Sequence, residues 1–251
     1  MPGDDLSAEF QSTRAININA SLSDTWLWLN QLGADRSGFF SYYFIEQFLG
    51  YETRSQATIA PTFPDLVPGD LIRGSITPSK SIIIYEFPVV ATQPEKHLVL
   101  KNWGTFLLHR LNENQTRLIV RTHRPATNNL AKATFDYYVG EGLHFVMERA
   151  TLKGFKARVE AGEGPVFDDT KDKLWFFGIL ASAIAIAVLI FLMRGIQRLA
   201  IPALLSTGWT ITLLTLDPVP IYSLALFVFI CGFILHQIAN RKTQSPMSNG
   251  D

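Results

Sequence analysis

The last third of the chain carries almost no charge, and this constrains its fold more than any other feature. Between residues 174 and 240 the only Asp, Glu, Lys or Arg side chains are Arg194, Arg198 and Asp217. The segment 174–193 contains none, and twelve of its positions are Leu, Ile, Phe or Val. An uncharged run of this length can cross about 30 Å of hydrocarbon as a helix. We therefore predict a membrane span at 174–193.

Two further spans are predicted in the same region. Residues 219–238 are as apolar, with eleven Leu, Ile, Phe or Val among 219–235. Residues 199–216 have eight such residues, diluted by a proline, a glycine, a serine and four threonines. Because this middle segment is uncharged throughout, we expect it to span as well, and a position in the membrane interface is the alternative. The membrane region thus covers 174–240 and is followed by a polar tail, 241–251.

The segment 1–173 has the charge density of a soluble domain, with 18 basic and 20 acidic side chains. The start, "MPGDDLSAEF", is acidic and has no apolar core, so it does not predict a secretory signal. We expect this domain to lie in the cytoplasm, because a folded domain without a signal is hard to export. Three spans would place Arg194, Arg198, Arg241 and Lys242 on the opposite side, against the positive-inside rule. Two spans would remove most of that conflict.

Composition and motifs exclude several classes of function. The 22 Lys and Arg balance the 22 Asp and Glu, so no nucleic-acid partner is expected. The single cysteine, Cys231, rules out an intramolecular disulfide. No HExxH, CxxC or EF-hand spacing occurs, and the two "GEG" segments lack the context of a phosphate loop. We expect no metal, no cofactor and no nucleophilic catalytic residue.

The first third predicts one strand followed by two helices. In "TRAININA" isoleucines alternate with asparagines, as in a strand with one buried face. "SLSDTWLWLNQLG" begins with a helix cap and ends on a glycine, which predicts a helix. Six aromatic residues then fall within ten positions, and Phe40, Phe44 and Phe48 have the i, i+4, i+8 spacing of one helix face. We expect a second short helix there.

The middle of the chain predicts an antiparallel sheet. Its short β-rich runs are "GDLIRGSI", "SIIIYEFPVVAT", "KHLVLKNWG", "TFLLHRL" and "TRLIVRTHR". "NENQ" (112–115) is the expected hairpin turn between the last two runs. That turn would place His109 opposite Leu118 and His123 opposite Gly104, so the two histidines would not meet.

A long helix is predicted from Ala133 to Gly162. Gly140 and Gly142 weaken its first turns. Beyond them, the expected inner face is Leu143, Met147, Ala150 and Gly154. The soluble domain would then end at about residue 162 and be joined to the membrane region by a polar linker, 163–173.

This order of elements resembles the START-like, or helix-grip, superfamily (SRPBCC), over about residues 12–162. The most specific part is "QLGADR" followed by "GFFSYYFIEQFLG", after Trp26 and Leu29. These segments, "VPGD" (67–70) and "HFVMERATLKGFKAR" (144–158) are similar to a membrane-associated bacterial subgroup. The resemblance implies an α+β fold in which a curved antiparallel sheet wraps around a long C-terminal helix. It also implies location in a bacterial inner membrane.

The resemblance implies a cavity between the sheet and the long helix. Candidate ligand-binding residues are Trp26, Tyr42, Phe44, Phe48, Arg121, His144 and Met147. Packing in the core is the alternative for the aromatic residues, because aromatic side chains at helical spacing are usually core. Candidates for acid–base chemistry are His109, His123, Tyr85, Glu86, Arg121 and His144, since one positioned group with a tuned pKa is sufficient.

The preferred function is the binding of a hydrophobic small molecule, such as a lipid, a quinone or a polyketide-like compound, next to the bilayer. A cyclase or dehydratase acting in the same cavity is the first alternative. A membrane assembly or scaffold protein, with no catalysis and a filled core, is the second. A buried His–Glu or Tyr–Arg pair in an open cavity would favour the enzyme, and an almost wholly apolar cavity would favour binding.

Overall fold

The structure is a computed structural model. It describes residues 10–54, 58–60, 63–77, 86–124, 128–135, 137, 140–162, 169–216 and 219–243. The chain divides into two compact units, Met1–Phe167 and Asp168–Asp251, and each is described by itself.

The first unit is built on a six-stranded antiparallel sheet. Its strands are β1 (Phe10–Ile18), β2 (Leu71–Arg73), β3 (Glu86–Gln93), β4 (His97–Leu100), β5 (Gly104–Asn112) and β6 (Gln115–Arg124). Their order across the sheet is β1-β6-β5-β4-β3-β2. The first strand therefore lies beside the last, and the other strands follow one another as antiparallel neighbours.

One long helix packs against this sheet and forms the core with it. The helices of the first unit are α1 (Leu22–Leu29), α2 (Tyr43–Phe48), α3 (Leu130–Phe135) and α4 (Glu141–Ala161). Leu152, Phe155 and Val159 of α4 share one buried cluster with Leu118 and Val120 of β6. The predicted α+β helix-grip fold is confirmed by this order of elements and this sheet.

The predicted hairpin turn is confirmed, but the register beyond it is wrong by one residue. Asn112 pairs with Gln115 across the turn, and an irregularity then shifts the pairing between Arg110 and Asn112. His109 consequently lies opposite Arg117 instead of Leu118, and Gly104 lies opposite Thr122 instead of His123. A bulge inserts one unpaired residue, which a register counted from the turn cannot anticipate.

The predicted aromatic face of a second helix is wrong. Helix α2 begins only at Tyr43, and Phe40 has a φ of 59°, which no helix contains. Phe40 instead inserts its ring into the core, 6.0 Å from the Trp28 ring and 5.5 Å from the Phe155 ring. Aromatic residues spaced four apart predicted a helix, but the turn that brings Phe40 into the core breaks that periodicity.

The predicted inner face of α4 is displaced by about one residue. Its buried residues include Glu148, Leu152, Phe155 and Val159, whereas Met147 and Gly154 are half-buried beside them. The side chain of Leu143 lies outside those described. The prediction used apolar and small residues only and did not include the buried Glu148. A carboxylate is buried here because the sheet supplies partners for it.

The described residues of the second unit form three helices. They are α5 (Thr170–Leu192), α6 (Gln197–Thr215) and α7 (Pro220–Thr243). In the described part of the chain, two helices are long and apolar enough to cross a membrane, Thr170–Leu192 and Pro220–Asn240. Large apolar side chains cover the outside of the unit, while Ser182 of α5 and Ser223 of α7 are fully buried within it. Apolar residues such as Leu189 and Ile230 are buried as well, so the unit is apolar both inside and outside, and small residues at helix contacts are typical of membrane helices.

Candidate functional site

A cavity of about 130 Å³ lies between α4 and the sheet of the first unit. It is lined by Ser41, Phe87, Asn102, Trp103, Thr122, His144, Met147, Glu148 and Thr151. The segment before α2, strands β3 and β6, the turn between β4 and β5, and α4 each contribute at least one of these residues. The cavity is therefore bounded by elements that are distant in sequence and joined by the fold.

The apolar part of the lining is an aromatic group extended by a methionine. The Trp103 ring lies 4.8 Å from the Phe87 ring and 5.1 Å from the Phe106 ring, measured between centroids. Phe39 packs against Trp103 at 5.8 Å, so this wall is held by the core. Met147 lines the cavity from α4, and its carbonyl oxygen accepts a 3.4 Å hydrogen bond from the Ser41 hydroxyl.

The polar part of the lining is centred on Glu148. This residue is only 3% exposed, and its carboxylate accepts a 2.6 Å hydrogen bond from the Thr122 hydroxyl. The Arg14 guanidinium of β1 forms an ion pair with its other oxygen. A buried carboxylate needs partners of this kind, because an unpaired charge in the interior is costly. Two donors on neighbouring strands thus hold Glu148 in place.

His144 lies one helical turn before Glu148 and completes the polar group. Its Nε2 is 3.8 Å from Oε2 of Glu148 and 3.4 Å from the Thr122 hydroxyl oxygen. The imidazole is partly exposed, so it can reach both the cavity and water. An imidazole nitrogen can donate or accept a hydrogen bond and can take up or release a proton. The group can therefore hold a polar atom of a ligand or exchange a proton with it.

Arg14 balances the charge of Glu148 at a cost in solvation. Burial lowers the pKa of Arg14 from its ordinary value, and the guanidinium stays charged at neutral pH. The Cζ atom of the Arg14 guanidinium lies 4.8 Å from the centre of the Phe145 ring, which is a favourable cation–π position. One member of this ion pair, Glu148, thus lines the cavity, with His144 beside it as a group that can exchange protons.

The backbone is strained on one side of the cavity. Phe40, directly before the lining residue Ser41, has a φ of 59°, in the left-handed region that bulky residues avoid. The lining residue Asn102 also has a positive φ, 69°, which asparagine adopts more readily. The Phe40 carbonyl oxygen lies so close to Gly154 of α4 that a Cβ at position 154 would overlap it. Strain of this kind persists only where the surrounding structure enforces it, and it concentrates at functional sites.

The structure places only some of the predicted ligand-binding residues at this cavity. His144 and Met147 line it. Trp26 and Tyr42 are buried in the core, and Phe44 packs on Tyr42 at 6.0 Å. Phe48 is 88% exposed at the end of α2, so its predicted position at the cavity is not seen. Arg121 donates to the Thr13 hydroxyl on β1 and does not line the cavity either.

The other acid–base candidates lie elsewhere. His109 and Glu86 are exposed on the sheet, and His123 is buried but does not line the cavity. Tyr85 lies outside the described residues. Among the described residues no three His, Cys, Asp or Glu side chains converge as metal ligands would.

Sequence reasoning missed most of the lining, above all Glu148, Thr122 and Trp103. One signal was present, because Glu148 follows His144 by four residues and the two must share a helix face. The other partners had no local signal. Thr122 is one of several threonines in a strand, and Trp103 sits in a turn that the sequence marks only by polar neighbours.

Comparison with known proteins gives few similarities. No protein-family model and no curated protein sequence matches this chain. The solution structure of the Aha1 dimer from Colwellia psychrerythraea is 15% identical, with a TM-score of 0.35, and the match covers 62% of this chain and 99% of that one. A Polyketide_cyc-like protein from Corynebacterium glutamicum is 14% identical, with a TM-score of 0.31, and the match covers 60% of this chain and 91% of that one. Similarities of this size say nothing about a ligand or a reaction.

Proposed function

We propose that the first unit binds a small hydrophobic molecule that carries one polar group. The observation that supports this is the division of the cavity into an aromatic wall at Trp103 and Phe87 and a polar group at Thr122, His144 and Glu148. Apolar pockets with a few fixed polar groups are typical ligand sites. The aromatic wall would exclude water from the apolar part of the ligand, and the polar group would orient the rest.

The volume of the cavity limits how much of a ligand it can enclose. A cavity of about 150 Å³ accepts benzene, whereas sites for drug-sized molecules measure about 300–1,000 Å³. At about 130 Å³ the cavity has room for roughly one ring or one short apolar chain. A lipid, a quinone or a polyketide-like compound would therefore insert one end, and its remainder would stay outside unless the walls move.

A titration with two matched ring compounds tests this proposal. Toluene and p-cresol differ by one hydroxyl, and a hydrogen bond to it is worth about 0.5–1.5 kcal/mol, or roughly 2- to 12-fold in affinity. We expect the full-length protein in detergent to bind both, with p-cresol the tighter, by calorimetry. Thr122→Val should reduce this preference, whereas Thr116→Val, at a buried threonine of the same strand that donates to Ala20, should keep it. If neither compound binds, the proposal is wrong.

A second candidate function is proton transfer on a bound ligand, and the His144–Glu148 pair favours it. His144 would take a proton from a carbon next to a carbonyl group and return one to the same carbon. Incubation of the protein with phenylacetone in D₂O tests this, because exchange would incorporate deuterium at that carbon. We expect incorporation above the buffer rate that His144→Gln abolishes. Equal rates for both proteins would exclude this candidate.

We also propose that the second unit anchors the chain in a bacterial inner membrane, with the first unit on the cytoplasmic side. The large apolar side chains on the outside of the second unit support anchoring, because a water-soluble bundle would carry mainly polar side chains there. Lys171 and Lys173, on the side of the first unit at the start of α5, support the cytoplasmic location, whereas a spanning α6 would place Arg194, Arg198, Arg241 and Lys242 on the opposite side. In this arrangement the cavity belongs to a unit tethered at a bilayer, where apolar ligands concentrate.

A further inference from the structure

Helix α6 differs in composition from the two apolar helices between which it lies in the chain. Linkers of four residues, 193–196 and 216–219, join it to α5 and α7. Its polar side chains include Thr207, Thr210, Thr212 and Thr215. Each of these hydroxyls donates to the carbonyl oxygen four residues earlier, at 2.7–3.1 Å. The four hydroxyl groups are thus satisfied within the helix and do not require water.

A hydrogen bond between α6 and α5 fixes the direction of α6. The Trp209 indole Nε1 donates to the Ile179 carbonyl oxygen at 2.8 Å. Ile179 lies more than three helical turns before the end of α5, and Trp209 lies more than three turns after the start of α6. At a rise of about 1.5 Å per residue both are about 18–20 Å from the linker, so α6 must run back beside α5. A helix lying flat on the membrane surface would diverge from α5 and could not make this contact.

The remaining features of α6 agree with an apolar environment. Leu199, Leu204 and Ile211 point outward, and Leu204 is 73% exposed. Pro202 removes one helix hydrogen bond, but the carbonyl group that loses its partner belongs to Arg198, at the charged end of the helix. Leu205 and Trp209 pack against the buried cluster of α5 and α7. Beyond Gln197 and Arg198, the exposed side of α6 carries aliphatic residues together with Thr207, Thr210 and Thr215, whose hydroxyls are bonded within the helix.

We propose that α6 is a third membrane span whose outer face contacts the acyl chains of the lipid. The inference rests on the membrane anchoring proposed above and not on the cavity. It has a consequence for topology. The linker 193–196 lies on the side opposite the first unit, the linker 216–219 returns to the side of the first unit, and the C-terminal end of α7 emerges opposite it.

Labelling of single cysteines in the full-length protein tests the proposal. Cys231→Ser provides the background, and Lys171→Cys, Arg194→Cys and Val219→Cys are introduced one at a time. Sealed vesicles of one orientation are treated with a membrane-impermeant maleimide, and detergent reveals the total reactive cysteine. We expect Lys171→Cys and Val219→Cys to react from the same side and Arg194→Cys only after detergent or from the other side.

Two outcomes would overturn the proposal, and they have different meanings. Reaction of Arg194→Cys and Val219→Cys from the same side would mean that α6 lies in the interface while the chain remains anchored. Full reaction of all three variants without detergent, in protein that washes off the vesicles, would mean that the chain is not anchored at all. That second result would remove the anchoring proposal together with the third span, whereas the first would leave anchoring intact.

Discussion

A buried glutamate on α2 gives the first unit a predictable dependence on pH. Glu46 is only 5% exposed, and one carboxylate oxygen accepts a 2.9 Å hydrogen bond from the Thr53 hydroxyl. Its other oxygen has no hydrogen-bond partner among the described residues. Burial raises the pKa of Glu46 from 4.5 to about 7, although the Thr53 hydrogen bond and the charge of Arg158 both lower it. Desolvation is therefore the dominant effect at this site.

The direction and size of the effect follow from the two pKa values. The folded-state pKa is the higher one, so the folded protein holds the proton more tightly than the unfolded chain does. The stabilisation by protonated Glu46 is complete below pH 4.5 and is lost as the pH rises to about 7. A rise from 4.5 to about 7 corresponds to about 3 kcal/mol. For a unit of this size we expect a fall in Tm of about 6–12 °C over that range.

Substitution by a neutral isostere isolates this contribution. Glu46→Gln cannot ionise, so we expect its Tm to exceed that of the natural protein at pH 8 and to approach it at pH 4.5. Near-ultraviolet circular dichroism of the full-length protein in detergent reports on the buried Trp28 and Trp103 of the first unit during thermal unfolding. Glu52→Gln, at an exposed glutamate six residues later, is the control and should parallel the natural protein. Parallel pH profiles for Glu46→Gln and the natural protein would refute the reasoning.

Three further predictions concern packing, anchoring and autonomy. Gly154→Ala should cost about 1–3 kcal/mol of stability in thermal melts, because the added Cβ overlaps the Phe40 carbonyl oxygen. The control is Gly142→Ala on the same helix, whose Cβ meets nothing within 4 Å, and it should be neutral or stabilising. Ile184→Asp, on the exposed side of α5, should cost about 2.5–3.5 kcal/mol of insertion free energy and lower retention in carbonate-washed membranes, whereas Ile184→Leu should not. Residues 1–167 alone should unfold cooperatively without detergent, and an aggregated product would place the boundary of the first unit elsewhere.

Structural features that depend only on residues close together in the sequence were predictable. Alternation of isoleucine and asparagine predicted β1, and "NENQ" predicted the turn between β5 and β6. The apolar runs predicted α5 and α7, because helix length and composition decide whether a segment can span a membrane. These patterns need no knowledge of what lies across the fold.

The polar half of the candidate site could not be predicted in the same way. Glu148 stands between Met147 and Arg149 in a charged stretch of α4, where a carboxylate is normally solvated. It is buried only because Thr122 and Arg14 lie opposite it on β6 and β1. The cost of its desolvation and the gain from its partners are tertiary quantities, and a helical periodicity based on apolar residues assigns the opposite face.

The composition of α6 illustrates the same limit in the second unit. Hydropathy scales count each threonine as polar, so the mean hydropathy of α6 is lower than that of α5 and α7. The structure shows that the four threonine hydroxyls already have acceptors in the preceding turn, and that the Trp209 N–H has one on α5. The penalty for burying a polar group arises when its hydrogen bond to water is not replaced. Because these hydrogen bonds are replaced, the amino-acid composition of α6 overstates the free energy needed to place this helix in a membrane. The path of α6 beside α5 is therefore better evidence of its location than its composition is.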